Sequence, residues 1–226
     1  MSSRKEELAQ NLALVEARIE GALAQSGRRR DEITLIAVTK FFPASDAMHL
    51  YDLGLRHFGE NRDSDGAQKS ADLPADIHWH FQGQIQSRKI SSILGWAQTI
   101  HSLDSYDHAE KCSRFLSADD LEREFFIQVN LEPERSDRGG VAKPEIPAFY
   151  ESIRKLPHIK VSGLMCVLPL AAEPISAFSD LAKLVDQLEL PSLSLGMSGD
   201  FEAAILSGAT HIRVGSSILG SRPDPA

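Results

Sequence analysis

The chain has 226 residues, 42% of them hydrophobic, with 24 Lys and Arg against 32 Asp and Glu for a formal net charge of −8. That length and apolar content suit one α/β domain spanning 1–226, and the acidic balance argues against a general nucleic-acid surface, which needs clustered cations. No apolar run approaches the roughly 20 residues that span a bilayer, and the first residues, Met1 to Glu7, lack a signal-peptide core, so the expected location is the cytoplasm.

The pattern predicts a helix from about Arg4 to Ser26. Arg28-Arg29-Arg30 behind it reads as a solvated turn that complements the helix dipole, rather than as an RNA contact. A first strand over 33–39 ends at Lys40 and is followed at once by Phe41-Phe42-Pro43. Period two puts Thr34, Ile36, Val38 and Lys40 on one face, with Val38 as an apolar floor beneath Lys40. An ammonium among apolar neighbours loses hydration, which favours the neutral amine and its attack on a carbonyl. The ordinary alternative is a solvated strand terminus.

A helix over 44–54 and a short second strand over 55–58 come next, the strand running into Gly59-Glu60-Asn61. Asn61 either serves a bound ring or caps the following helix. The third strand, 77–82, sets His78, His80 and Gln82 on one face. Two inward imidazoles could bind a metal, but no third carboxylate or cysteine stands at a recognised spacing, so no metal is expected. Gln86, Arg88 and Lys89 open the next helix, where they order the rim, bind an anion or are simply solvated. Cys112 and Cys166 lie in unrelated contexts and read as small buried hydrophobes.

Further strands are expected at 99–103, 125–130, 161–167, 192–195 and 211–214, with a short helix at 200–207. Eight such βα units favour a closed (β/α)8 TIM barrel over an open doubly wound sheet, with the N-terminal helix as an addition. Lys40, Asn61, Met165, Ser198 and Gly215 all fall at C-terminal strand ends, where barrel sites lie. Gly196-Met197-Ser198 and Gly215-Ser216 combine close backbone approach with hydroxyl donors, a pattern suited to phosphate. Arg213 shares the strand face of Gly215 and either points into the barrel or pairs with Asp200 or Glu202. Together these features suggest an aldehyde-bearing phosphate ester held by Lys40.

The ordered motifs Ala37-Val38-Thr39-Lys40, Phe58-Gly59-Glu60-Asn61, Trp79-His80-Phe81-Gln82-Gly83, Gly163-Leu164-Met165, Leu195-Gly196-Met197-Ser198 and Arg213-Val214-Gly215-Ser216 run nearly end to end. In these the chain resembles the pyridoxal-phosphate homeostasis family, which is related to the barrel domain of alanine racemase. The resemblance implies pyridoxal 5′-phosphate (PLP) in an aldimine with Lys40, its phosphate on Ser198, Gly215 and Ser216, Arg213 facing the pyridine nitrogen, and Asn61 and Met165 lining the ring. An arginine there leaves the ring a poor electron sink. Racemases of this fold also use a tyrosine from a second domain and a partner subunit, which this chain does not offer. Many relatives carry a lysine after strand five, where this chain has Asp137 and Arg138, and arginine does not form the imine.

The expectation is a monomeric carrier that stores, buffers and hands PLP to apo-enzymes, with little turnover of its own. A PLP-dependent amino-acid racemase is the alternative, and a Schiff-base aldolase with its substrate phosphate in the cup is a third reading.

Overall fold

The computed structural model describes residues 3–135, 138–169 and 171–221. Helix α1 (Arg4–Ser26) opens the chain, capped by a reciprocal box between Ser3 and Glu6, and Gly27 closes it at φ 67° in the left-handed region. Leu8, Leu12, Val15, Ile19 and Leu23 recur every three or four residues and are all buried. That stripe docks α1 on the outside of the barrel. Each of these side chains contributes about 1.5–3 kcal/mol by leaving water.

The strands are β1 (Thr34–Val38), β2 (His57–Glu60), β3 (His78–Phe81), β4 (Thr99–Leu103), β5 (Arg123–Asn130), β6 (Val141–Ala142), β7 (Ile159–Cys166), β8 (Ser192–Ser194) and β9 (His211–Val214). Between and after them lie α2 (Ala44–Asp52), α3 (Asp63–Asp72), α4 (Ile90–Trp96), α5 (Tyr106–Ala118), α6 (Ile146–Ile153), α7 (Pro174–Gln187), α8 (Phe201–Leu206) and α9 (Ser216–Leu219). All strand pairings are parallel in the order β4-β3-β2-β1-β9-β8-β7-β5, and the β4–β5 pairing joins the two ends. The result is a closed eight-stranded barrel, with β6 added at the C-terminal end of β5.

Alternation divides the apolar residues between two cores. Leu35, Ala37, Phe58, Trp79 and Ile212 join the continuous core beneath the helices. Ile36, Val38 and Met165 are buried on the alternate faces, and Val38 and Met165 line the cavity at the strand ends. No helix among the described residues is long and apolar enough to cross a membrane.

The structure corrects several expectations. The second strand is His57–Glu60, two residues later than 55–58. Its polar end stays in the barrel because buried Lys69 neutralises Glu60. The arginine triplet is only partly solvated. Arg28 Nη1 donates to Ile205 O at 3.1 Å and Ala209 O at 2.8 Å, closing the C-terminal end of α8, and Arg30 pairs with Glu16 at 2.9 Å. Arg29 alone, 76% exposed, matches the expectation. Cys112 and Cys166 are free and buried, and burial pushes both thiols up to about 12.

Candidate functional site: a cavity at the C-terminal strand ends

The turn after β1 fixes Lys40. Thr39 is fully buried, its N–H donates to Gly59 O at 3.0 Å, and its hydroxyl donates to Glu60 Oε1 at 2.7 Å. Lys69 Nζ, reaching in from α3, donates both to Thr39 O at 2.9 Å and to Glu60 Oε1. Phe41 follows at φ 72°, a strained conformation for an aromatic residue, with the Arg62 guanidinium 5.2 Å from its ring centre. With the backbone pinned on one side of Lys40 and strained on the other, its partly exposed side chain lines the barrel mouth.

A cavity of about 590 Å³ opens there, lined by Val38, Lys40, Asn61, Gln82, Met165, Val167, Met197, Ser198, Gly199, Arg213, Gly215 and Ser216. It gathers all seven residues singled out in the sequence: Lys40, Asn61, Met165, Ser198, Arg213, Gly215 and Ser216. Gln82, which the sequence sets on the strand face of His78 and His80, joins them, and Val167 and Gly199 are additions. Lys69 was missed altogether, because a lysine in the polar sequence of α3 carries no sign of burial.

Asn61 does not cap α3. Its Oδ1 is buried without a hydrogen-bond partner, and so is Gln82 Nε2. Beneath them, Gly83 has no room for a side chain, since an added Cβ would collide with Asn61 O. Two orphaned buried polar atoms on one cavity wall are costly, about 1–3 kcal/mol each, unless a ligand completes them.

The opposite wall suits an anion. Gly215 N and Ser217 N donate to Ser198 Oγ at 3.2 and 3.3 Å, at the start of α9. Gly196, at φ 84°, turns the chain from β8 towards Ser198 where an added Cβ would lie 2.7 Å from Phe201 Cα. Asp200 holds that turn by accepting from Met197 N at 2.6 Å. Arg213 is buried, donating through Nη1 to Ser194 O at 2.7 Å and Ser194 Oγ at 2.8 Å, and through Nη2 to Cys166 O at 2.8 Å. Burial pushes it down to about 10, so it is still a cation at neutral pH. The expected alternative, a salt bridge to Asp200 or Glu202, is absent. Glu202 pairs instead with Arg18 at 2.6 Å.

The outer residues fare differently. Lys89 is held by Asp63 at 3.1 Å, and Arg88 meets Gln86 at 3.4 Å. Arg138 is tied to Glu132 at 2.9 Å, and Asp137 lies outside the described residues.

The alanine racemase N-terminal domain family matches residues 11–223. A pyridoxal phosphate homeostasis protein of Corynebacterium glutamicum is 38% identical over 92% of this chain and 99% of its own. The chain belongs to this homeostasis family. A solved relative, PipY of Synechococcus elongatus with PLP bound, superposes with a TM-score of 0.81 at 31% identity, covering 94% of this chain and 100% of PipY. Alanine racemase from Corynebacterium glutamicum shares the fold, with a TM-score of 0.69 at 19% identity over 97% of this chain and 61% of that one.

A second polar cluster fills the N-terminal end of the barrel. His57, His78, His80, His101 and His211 pack tilted or edge-on at centroid separations of 4.7–6.3 Å. Burial pushes His57 and His211 down to about 4 and lowers His78, and it holds His80 and His101 well below the usual imidazole range. The sequence showed two of these rings on one strand. The barrel brings a third imidazole, His57 of β2, beside the two on β3.

Proposed function

We propose that this protein binds PLP through a Schiff base to Lys40 and acts as a cytoplasmic, monomeric store that buffers the cofactor and hands it to apo-enzymes. The observation that carries the reading is the convergence of an amine, an amide-rich anion cup and two unpartnered polar side chains on one cavity. Lys40 Nζ is the group that would hold the cofactor through its aldehyde carbon, with one water released. Ser198 Oγ now satisfies the Gly215 and Ser217 amides; rotation of that hydroxyl frees them for a phosphate, with Ser216 as a further donor. Asn61 and Gln82 would find in the bound cofactor the partners they lack, and Met165 would provide an apolar contact.

Turnover has little support. Arg213, a cation fixed by three hydrogen bonds, would oppose protonation of the cofactor's pyridine nitrogen and so make the ring a poorer electron sink. Racemisation needs a base on each face of Cα. Among the cavity-lining residues Lys40 is the one group suited to that role.

Purified protein is expected to absorb in the visible range, and Lys40→Ala to remove that band while the fold persists. A protein that binds no added PLP overturns the proposal. Reconstitution of an apo-enzyme, run beside a chirality assay, tests the carrier role. Racemisation of alanine or serine on the order of 1 s⁻¹ or faster overturns it, and so does failure to activate every apo-enzyme tried.

A further inference from the structure

The cofactor reading leaves the histidines at the other end of the barrel without a task. His57 and His78 are cross-strand partners in the β2–β3 register, and His80, two residues along β3, shares the face of His78. The three ring centroids stand 4.7–5.3 Å apart, and one nitrogen from each ring lies within 4.8 Å of the others. His57 and His78 are partly exposed and His80 is buried, so the group is reachable from the N-terminal mouth of the barrel. We propose that His57, His78 and His80 form a site for one divalent transition ion of the zinc class, separate from the cofactor cavity.

Donor chemistry supports this choice. Imidazole nitrogens suit zinc, copper and nickel, and three of them leave a coordination position for water. The spacing fits with small movement. His57 Nδ1 and His80 Nε2 are 3.0 Å apart, whereas two nitrogens bound tetrahedrally to zinc stand about 3.3 Å apart. An ion therefore takes the place of the one proton this pair shares, and the His78 ring swings in as the third ligand.

The surrounding hydrogen bonds complete the argument. With His80 Nε2 on an ion, its proton sits on Nδ1 and is donated to His101 Nε2 at 2.9 Å. His101 in turn donates from Nδ1 to Ser194 Oγ at 3.0 Å. That oxygen also accepts from Arg213 Nη1 at 2.8 Å, and one hydroxyl oxygen has lone pairs for both. Ion binding thus selects a single tautomer along the chain and leaves both ring nitrogens of His80 and of His101 with a partner, as groups behind a metal ligand need. Thr99 Oγ1, 2.8 Å from His78 Nε2, orients the remaining ring.

The test uses the full chain without an affinity tag, titrated with Zn²⁺ against a chromophoric chelator. One equivalent is expected to bind. His57→Gln and His78→Gln, both at partly exposed residues, are each expected to weaken binding by about 100-fold, while His49→Gln on α2 leaves it unchanged. Absence of stoichiometric binding overturns the proposal, and so does binding that survives both substitutions. Cu²⁺ loading of the unaltered protein gives a readout that no folding defect can obscure. Electron paramagnetic resonance is expected to show superhyperfine coupling to three nitrogens, and coupling to one nitrogen overturns the site.

Discussion

The two ends of the barrel solve the burial of polar groups in opposite ways. At the C-terminal end, Asn61 Oδ1 and Gln82 Nε2 are buried and unpartnered beside a cavity of about 590 Å³. At the N-terminal end the imidazoles bond to one another, from His57 through His80 and His101 to Ser194. The same strands carry both arrangements: β3 contributes His80 below and Gln82, just past its end, above. An end that leaves donors and acceptors open gains from any partner that completes them. An end that closes its own hydrogen bonds is built to hold shape, and its neutral rings can exchange a shared proton for an ion.

The largest expected effect concerns the support beneath the C-terminal end. Lys69→Met leaves Glu60 as a buried carboxylate without its cation and removes the donor to Thr39 O. A loss of about 3–5 kcal/mol is expected from urea unfolding, together with weaker PLP binding as the Lys40 turn loosens. If stability changes by less than about 1 kcal/mol, the pair is not what fixes that turn.

A smaller effect separates cofactor affinity from fold. Ser198→Ala is expected to weaken PLP binding by about 1.5–3 kcal/mol, the loss of one hydrogen bond to a charged group. Because the Gly215 and Ser217 amides remain, the visible band should persist at saturating cofactor, unlike that of Lys40→Ala. Equal loss of the band in both variants would remove the distinction between amine and cup.

Acid tests the other end. The histidines have folded-state values below the unfolded 6.5, with His57 and His211 near 4. The unfolded chain therefore takes up protons first, and stability that is complete above about pH 6.5 is lost as the pH falls from there towards 4. After allowance for the partial exposure of His57 and His211, the loss is on the order of 1–3 kcal/mol. Urea midpoints of chelator-treated protein at pH 7.5 and pH 5 measure it, and His211→Leu should flatten the slope. His57, His78, His80 and His101, with Arg213 close by, remain to produce a residual slope. A midpoint that is flat over this range would mean that the rings are charged or hydrated, and that the contrast between the ends is wrong.

The smallest effect lies outside the barrel. Arg28→Ala withdraws the donor from Ile205 O and Ala209 O, and about 1 kcal/mol is expected from the thermal midpoint, with PLP affinity unchanged.

Much of this molecule was legible in its sequence because local rules act over short spans. Apolar alternation marks eight strands, the rule that barrel sites lie at C-terminal strand ends singles out Lys40, Asn61, Met165, Ser198 and Gly215, and the shared strand face of Arg213 and the hydroxyl of Ser216 add those two. Glycines beside hydroxyls marked the anion cup, since close backbone approach leaves few other residue choices. The remaining features depend on which strands become neighbours and in what register. The second strand extends past its apolar residues because Lys69, nine residues away, lets Glu60 stay buried although Gly59-Glu60 has the polarity of a turn. His57 joined His78 because β2 pairs with β3 at that register. Ser194 came to link His101 to Arg213 through the closure of the sheet. Sequence fixes which groups a strand presents and to which face. Only closure of the barrel decides which of them meet, because such contacts depend on register across chain separations that no local pattern encodes.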